Sequence, residues 1–341
     1  MFEQVPHNRT ETLVDPYGRT IDYVRLSVTD RCDFRCMYCM PRDVRFLPKA
    51  EVLSLEELER LGSALIDLGV KKIRLTGGEP LVRKGILELF RTLGSYVKSG
   101  DLAELTLTTN ASQLAHFADD LYQAGVRRVN ISLDSLDAET FERIARPGNF
   151  NGVMAGIDAA LDAGFKVKIN TVAIKGVNDH EFSNLIAWCG EKGMDLSLIE
   201  TMPVGVVDGL RSDHYLPLPK VRDALLADWT LEKSDFQTAG PSRYYTVVET
   251  GQKIGFITPL SENFCENCNR IRITCTGTLY MCLGQSDKVD LREALRGSNS
   301  NEPLKDAIRA AIAIKPKAHD FNAALTKEQA AVSRTMNVTG G

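Results

Sequence analysis

Three cysteines fall within eight residues, in the run Cys32-Asp33-Phe34-Arg35-Cys36-Met37-Tyr38-Cys39, with the spacing C-x3-C-x2-C. Thiols so close together suggest a metal centre. A structural zinc site takes four ligands, usually as two C-x2-C pairs. A ferredoxin-type [4Fe–4S] cluster also takes four thiolates. Here no fourth cysteine follows until Cys189. Three thiolates hold a cubane with one iron left open to a ligand that is not protein. The bland alternative is three incidental thiols. The flanks argue against it, because Arg31, Asp33 and Arg35 interleave where a buried run would be apolar.

A second triad, Cys265, Cys268 and Cys282, has the spacing C-x2-C-x13-C. It too has three ligands. Zinc would want a fourth, which Cys275 offers; a second cubane with an open iron needs none, and would leave Cys275 a strand residue and Cys189 a helix-core thiol. Asn269-Arg270-Ile271-Arg272 lies between these cysteines. Arginines at i and i+2 on a strand share a face, and guanidinium groups bind phosphate bidentately. Solvated surface arginines are the alternative. The turn Gly77-Gly78-Glu79-Pro80 lets backbone come close to a ligand and adds Glu79 as an acceptor, although such strand-exit turns are common.

These residues must be held by elements, and the pattern supplies them. Ile21 to Thr29 alternates as a strand and ends just before Cys32, so the cysteine loop follows a strand. Ser54 with Glu57 opens a helix over Leu55 to Leu68. Strands are predicted at Lys72 to Thr76, Glu104 to Thr109, Arg128 to Leu133, Lys166 to Ile174 and Asp195 to Thr201. Helical patterns lie between them, over Gly85 to Val97, Gln113 to Ala124, Ala138 to Ala145, Val153 to Ala163 and Asp179 to Lys192. Strand–helix alternation argues parallel βαβ units, hence a barrel or an open α/β sheet, with the polar motifs at strand ends where such folds place their sites. After Met202-Pro203 the rhythm breaks. Gly205, Gly209, Pro217 and Pro219 read as a linker. Residues 204–315 read as a smaller α+β domain with strands at Tyr244 to Glu249, Lys253 to Ile257 and Arg270 to Cys275; residues 1–20 read as a loose N-terminal extension, 21–203 as the barrel, and 316–341 as a weakly patterned tail ending Gly340-Gly341.

Hydrophobic content of 43% and charged content of 25% are ordinary for a soluble globular chain of 341 residues. A net charge of −4 argues against nucleic-acid or membrane partners, and no apolar run approaches a membrane span. The N-terminus has no apolar stretch of the signal-peptide kind. Clustered cysteines in a long chain without a signal read as metal ligands in a reducing compartment, here the cytoplasm.

The first triad, with Tyr38 before its third cysteine, resembles the radical S-adenosylmethionine (SAM) enzymes. The whole pattern resembles one family more closely, GTP 3′,8-cyclase of molybdenum cofactor biosynthesis. The carriers are RLSVTDRC with its triad, RLTGGEP, TTN, NISLDS, KINTV, C-x2-CNRIR and the terminal Gly-Gly, spread over residues 16–341. The resemblance implies a partial (β/α)6 TIM-like barrel, an α/β fold, with a C-terminal α+β domain carrying a second cluster. It implies [4Fe–4S] ligation by Cys32, Cys36 and Cys39 and by Cys265, Cys268 and Cys282. SAM contacts are implied from Tyr38, Gly78, Ser132 and Met202. GTP contacts are implied from Arg25, Arg74, Thr108, Lys168, Arg270, Ile271 and Arg272, with guanine at the second cluster's open iron. The implied chemistry is reductive cleavage of SAM, removal of the ribose C3′ hydrogen of GTP by a 5′-deoxyadenosyl radical, and closure on guanine C8. No acid–base pair is needed for that first step. A flavodoxin- or ferredoxin-like reductant, a downstream cyclic pyranopterin monophosphate synthase and a homodimer are implied as partners. The resemblance also implies that the tail reaches the active site. One position departs: the family often has Arg where this chain has Ser197.

Three other readings stay open on sequence alone. A peptide-modifying radical SAM enzyme with an auxiliary cluster is disfavoured by Arg270, Arg272 and the Gly-Gly end. A two-cluster electron carrier would be shorter and would complete each cluster with four cysteines. A zinc-dependent binding module would show zinc rather than iron on metal analysis.

Overall fold

A computed structural model of the chain describes residues 11–205, 211–238, 240–262, 265–319, 321 and 330–341. Residues 1–10 of the expected extension, Gly209 of the expected linker, and 320 and 322–329 of the tail lie outside the described residues.

The strand–helix alternation is realised closely. Strands β1 (Tyr23–Ser27), β2 (Lys72–Thr76), β3 (Glu104–Thr109), β4 (Arg128–Ser132), β5 (Lys166–Ala173) and β6 (Asp195–Glu200) lie side by side in sequence order, all parallel. Between them run α1 (Leu55–Asp67), α2 (Ile86–Ser99), α3 (Leu114–Gln123), α4 (Ala138–Ala145), α5 (Phe150–Asp162) and α6 (Phe182–Glu191). The capping box that opens α1 is formed: Glu57 N donates to Ser54 Oγ at 3.1 Å, and Ser54 N donates to Glu57 Oε2 at 2.7 Å.

Parallel strands buried on both faces usually read as unbroken apolar runs. These do not. Val24 and Leu26 of β1, Ile73 and Leu75 of β2, Val129 and Ile131 of β4, and Val167 and Ile169 of β5 enter the main apolar core. Their neighbours Arg25, Arg74, Asn130 and Lys168 therefore point to the opposite, inner face, since side chains alternate along a strand. A polar inner face is the signature of a barrel that keeps a cavity rather than a packed centre.

The segment after residue 203 does not build a sheet of its own. Next come α7 (Arg211–His214), α8 (Leu218–Leu225), β7 (Leu231–Lys233), β8 (Arg243–Val247), β9 (Lys253–Ile257), β10 (Arg270–Ile273), β11 (Thr278–Tyr280) and β12 (Lys288–Asp290). Strand β9 pairs parallel with β6 and carries β8 and β7 antiparallel beyond it; β10 pairs parallel with β1 and carries β11 and β12. The result is one twelve-stranded sheet. Both open edges of the six-stranded unit are thereby covered, which satisfies backbone groups an open edge would leave bare. Helices α9 (Arg292–Arg296), α10 (Glu302–Ile312) and α11 (Met336–Thr339) complete the chain.

Two expectations need correction. Pro217 and Pro219 are not linker residues: Pro217 caps α8 and Pro219 sits in its first turn, where a missing N–H costs nothing. Residues 11–20 are not loose. Val14 bridges Thr20, and Arg19 pairs with Asp15 at 2.6 Å while donating to the carbonyls of Cys265, Pro316 and Lys317.

Candidate active site

The first triad lies on the loop after β1. Phe34 N donates to Cys32 Sγ at 3.4 Å, and Cys39 N donates to the Cys36 carbonyl at 2.9 Å. Charged neighbours serve the loop rather than solvent. Arg35 Nη1 donates to the carbonyls of Cys32 and Phe34, at 2.7 and 2.8 Å. Asp33 accepts from Asn110 Nδ2 at 2.7 Å and Ser112 Oγ at 2.5 Å, which ties the loop to the end of β3. Tyr38 donates to Asp134 at 2.8 Å, beyond β4.

The Gly-Gly-Glu-Pro turn has a structural task beside the ligand contact its composition suggests. A Cβ on Gly78 would overlap the Arg31 carbonyl, with the carbonyl carbon 2.6 Å away, and one on Gly77 would lie 2.8 Å from the Thr29 oxygen. Gly78 N and Glu79 N donate to Thr29 O and Arg31 O at 2.9 and 2.8 Å. The missing side chains let this turn lie flat on the cysteine loop. Glu79 is no open acceptor: it is fully buried and takes donors from Leu81 N, Thr109 Oγ1 and Asn110 N, at 3.0, 2.8 and 2.7 Å. Burial outweighs those donors and pushes its carboxyl up to about 7.

At the other end, registry makes a row of charge. Arg25 on β1 stands opposite Arg272 on β10 and Arg74 on β2. Three guanidinium groups thus line three adjacent strands on the inner face. Burial brings Arg74 down to about 10, and burial with Arg25 and Arg270 nearby holds Arg272 well below its usual range. Tyr23 lies among the same cations, with Lys72 and Arg74 over its ring at 5.2 and 5.5 Å. Burial alone would raise Tyr23; Arg74, Arg25, Lys72 and Arg270 together overcome it and lower the phenol to about 7. Lys168, shifted down by burial, donates to the Tyr244 hydroxyl at 3.1 Å. The Nε atoms of Arg25 and Arg74, Thr108 Oγ1 and Asn170 Oδ1 are buried without a hydrogen-bond partner. Such groups are available to a ligand or to water.

The tail closes the space between. Ala331 N donates to Pro203 O and Gly205 N to Val332 O, both at 2.8 Å. Arg334 donates to the carbonyls of Cys282 and Leu283 and lies over the Tyr280 ring. Asn337 Nδ2 donates to Asp30 O at 3.0 Å, beside the first triad. Arg272 donates to the Gly340 carbonyl, and Gly340 has φ of +76° with its α-carbon against Thr76. A residue with a side chain fits neither that dihedral nor that space.

The two triads and the cationic row meet in one cavity of about 270 Å³ that is partly open to solvent. Every cysteine of both triads, every residue read as a SAM contact and every residue read as a GTP contact lines it, and so does Gly341. Cys189 and Cys275 do not line it; both are fully buried elsewhere. His116, the first histidine after Cys39, is exposed on α3. Ser197 is buried on β6 with an unpartnered hydroxyl. Residue spacing gave no sign of Asn110 and Asp134, which are single polar letters just beyond β3 and β4, or of Asn170 and Tyr244, which lie within β5 and β8.

The cysteines fit iron–sulfur ligation. All six line the cavity wall, and none of them is in a disulfide. Burial pushes Cys39 up to about 12 and also raises Cys32 and Cys36 well above the ordinary thiol range, and the positive charge of a bound metal favours the thiolate. Burial also works against Cys268, but Arg270 and Lys315 outweigh it and bring that thiol to about 7. Among the described residues no three His, Cys, Asp or Glu side chains are gathered as a single ion would need. A cubane is wider, because each thiolate meets a different iron.

Residues 26–189 match the model of the Radical SAM superfamily, and residues 194–321 that of Molybdenum Cofactor Synthesis C. A GTP 3′,8-cyclase of Mesorhizobium japonicum is 57% identical over 96% of this chain and 99% of its own length. One from Agrobacterium fabrum is 58% identical over 96% of this chain and 94% of its own. The chain belongs to the GTP 3′,8-cyclase family. Its fold is also that of Streptococcus suis SuiB in its SAM-bound crystal structure, with a TM-score of 0.59 over 94% of this chain and 78% of that one, at 16% identity. The two models divide the chain of this GTP 3′,8-cyclase family member between them, the first spanning Cys32, Cys36 and Cys39 and the second Cys265, Cys268 and Cys282.

Proposed function

We propose that this chain is a radical SAM enzyme that converts GTP to (8S)-3′,8-cyclo-7,8-dihydroguanosine 5′-triphosphate, the first step of molybdenum cofactor synthesis. The carrying observation is the Arg272–Arg25–Arg74 row in the cavity that both cysteine triads share. Adjacent guanidinium groups repel one another, and a polyanion relieves that repulsion through charge-assisted hydrogen bonds. A triphosphate supplies it, and Lys168 adds a further cation across the barrel. Thr108 lies beside them with an unused hydroxyl.

Cys32, Cys36 and Cys39 would hold one [4Fe–4S] cluster, and Cys265, Cys268 and Cys282 a second. When bound, the first cluster and SAM would supply one-electron chemistry: with an electron from the reductant, removal of the ribose C3′ hydrogen of GTP, after which bonding of that carbon to guanine C8 takes a further electron and a proton to give the dihydro product. Gly78, Ser132, Tyr38 and Met202 would bind and orient SAM from strand ends. Arg270, Ile271 and Arg272 would fix the nucleotide between the row and the second triad. The tail would exclude water from the space between them. The same reading includes a flavodoxin- or ferredoxin-like reductant, a cyclic pyranopterin monophosphate synthase that takes up the product, a homodimer and a cytoplasmic setting. Among the described residues no helix is long and apolar enough to cross a membrane.

The test is an anaerobic reaction of the reconstituted protein with GTP, SAM and a reductant. A cyclised nucleotide formed together with 5′-deoxyadenosine supports the proposal. SAM cleavage that leaves GTP unchanged refutes it.

A further inference from the structure

Beside the second triad lies a lysine that the cavity does not expose. Lys315 follows α10 and is 2% exposed. Its Nζ donates to the Met281 carbonyl at 2.6 Å and lies 3.8 Å from Cys268 Sγ. Among the described residues its partners are this carbonyl and this sulfur, with no carboxylate paired to it. Removing an ammonium from water costs on the order of several kcal/mol unless an anion compensates it. With neutral thiols beside it, Lys315 is an expensive residue to bury. With thiolates beside it, the same position is favourable.

The placement of Lys315 is held from outside the barrel. Arg19, braced by Asp15, donates to Cys265 O at 2.8 Å and to Pro316 O and Lys317 O at 2.7 Å each. One side chain thus clamps the Lys315 segment to the turn that carries Cys265 and Cys268. Cluster potentials follow the net charge and the hydrogen bonds around their sulfurs.

We propose that Lys315 is the charge partner of the second cluster: its ammonium, held against Cys268, offsets the negative charge of the cluster thiolates and raises that cluster's reduction potential. The inference rests on reading Cys265, Cys268 and Cys282 as cluster ligands. Lys315 does not line the cavity, so it acts through the cluster as a positioning and tuning residue.

The experiment compares the anaerobically reconstituted holoenzyme with Lys315→Met, which keeps the stem and removes the charge, and Lys315→Arg, which keeps the charge. Iron content and an EPR-monitored redox titration of the second cluster are measured. Lys315→Met is expected to lower the midpoint potential while Lys315→Arg stays near wild type. Loss of the second cluster's iron in Lys315→Met alone also supports the charge role. An unchanged potential in Lys315→Met at full iron content overturns the inference, as does equal loss of iron in both variants, which would mark a packing role. A wild-type protein with about four irons per chain instead of about eight defeats the underlying cluster reading instead.

Discussion

Single residues of this site were legible in type more than in task. The six triad cysteines, Arg270 and Arg272 announce themselves by chemistry and spacing, Arg74 and Lys168 only through the family resemblance, and all of these reach the cavity. Gly78 reaches it too, but Glu79 does not: sequence offers an acceptor, whereas the structure spends it on Leu81 N and on Thr109 and Asn110 at the end of β3, while the bare Gly78 lies against the Arg31 carbonyl. Only a partner distant in sequence reveals that use. Glu79 gives a pH test. Its carboxyl is raised to about 7, so the native state holds a proton that the unfolded state has released above the ordinary carboxylate range. Stability should therefore fall as pH rises from about 4.3 towards 7, by roughly 3 kcal/mol for this group. Glu79→Gln should flatten that slope in denaturant titrations without SAM or GTP; an unaltered slope would assign the charge to another group. Cys275 gives a second test. It is buried away from the cavity, so Cys275→Ser should keep iron content and turnover near wild type. Loss of about half the iron would make it a ligand of the second cluster.

Elements were read well where periodicity is strong. All six barrel strands were found, because their outer faces are apolar at every second residue. The pairing of β9 and β10 was not legible, since nothing within a strand says which open edge it will cover. The hairpin of residues 14–20 was missed for a related reason: its anchor is one arginine whose acceptors are backbone carbonyls remote in sequence. The C-terminal element carries its own prediction. Gly340 accepts from Arg272 and fits against Thr76 only as glycine. Deleting Gly340 and Gly341 should leave iron content and SAM binding unchanged. Conversion of GTP should fall at least about tenfold, the scale of one charge-assisted hydrogen bond. A peptide of the final residues ending in Gly-Gly should restore part of the rate in trans. Full turnover by the truncated chain would reduce the tail to a surface strap.

On the scale of the whole molecule, the fold makes one chamber out of two sequence regions. The first triad comes from the strand that opens the barrel, the second from the segment that seals its edge, and β1 touches both through β10. That arrangement brings the Arg272–Arg25–Arg74 row and both cysteine triads to the wall of one cavity. The central claim is this juxtaposition, and isotope transfer reads it most directly. With GTP deuterated at ribose C3′, anaerobic turnover should deliver the deuterium into 5′-deoxyadenosine, seen by mass spectrometry alongside the cyclised nucleotide. Formation of unlabelled 5′-deoxyadenosine, with the deuterium retained in the nucleotide product, would contradict the account.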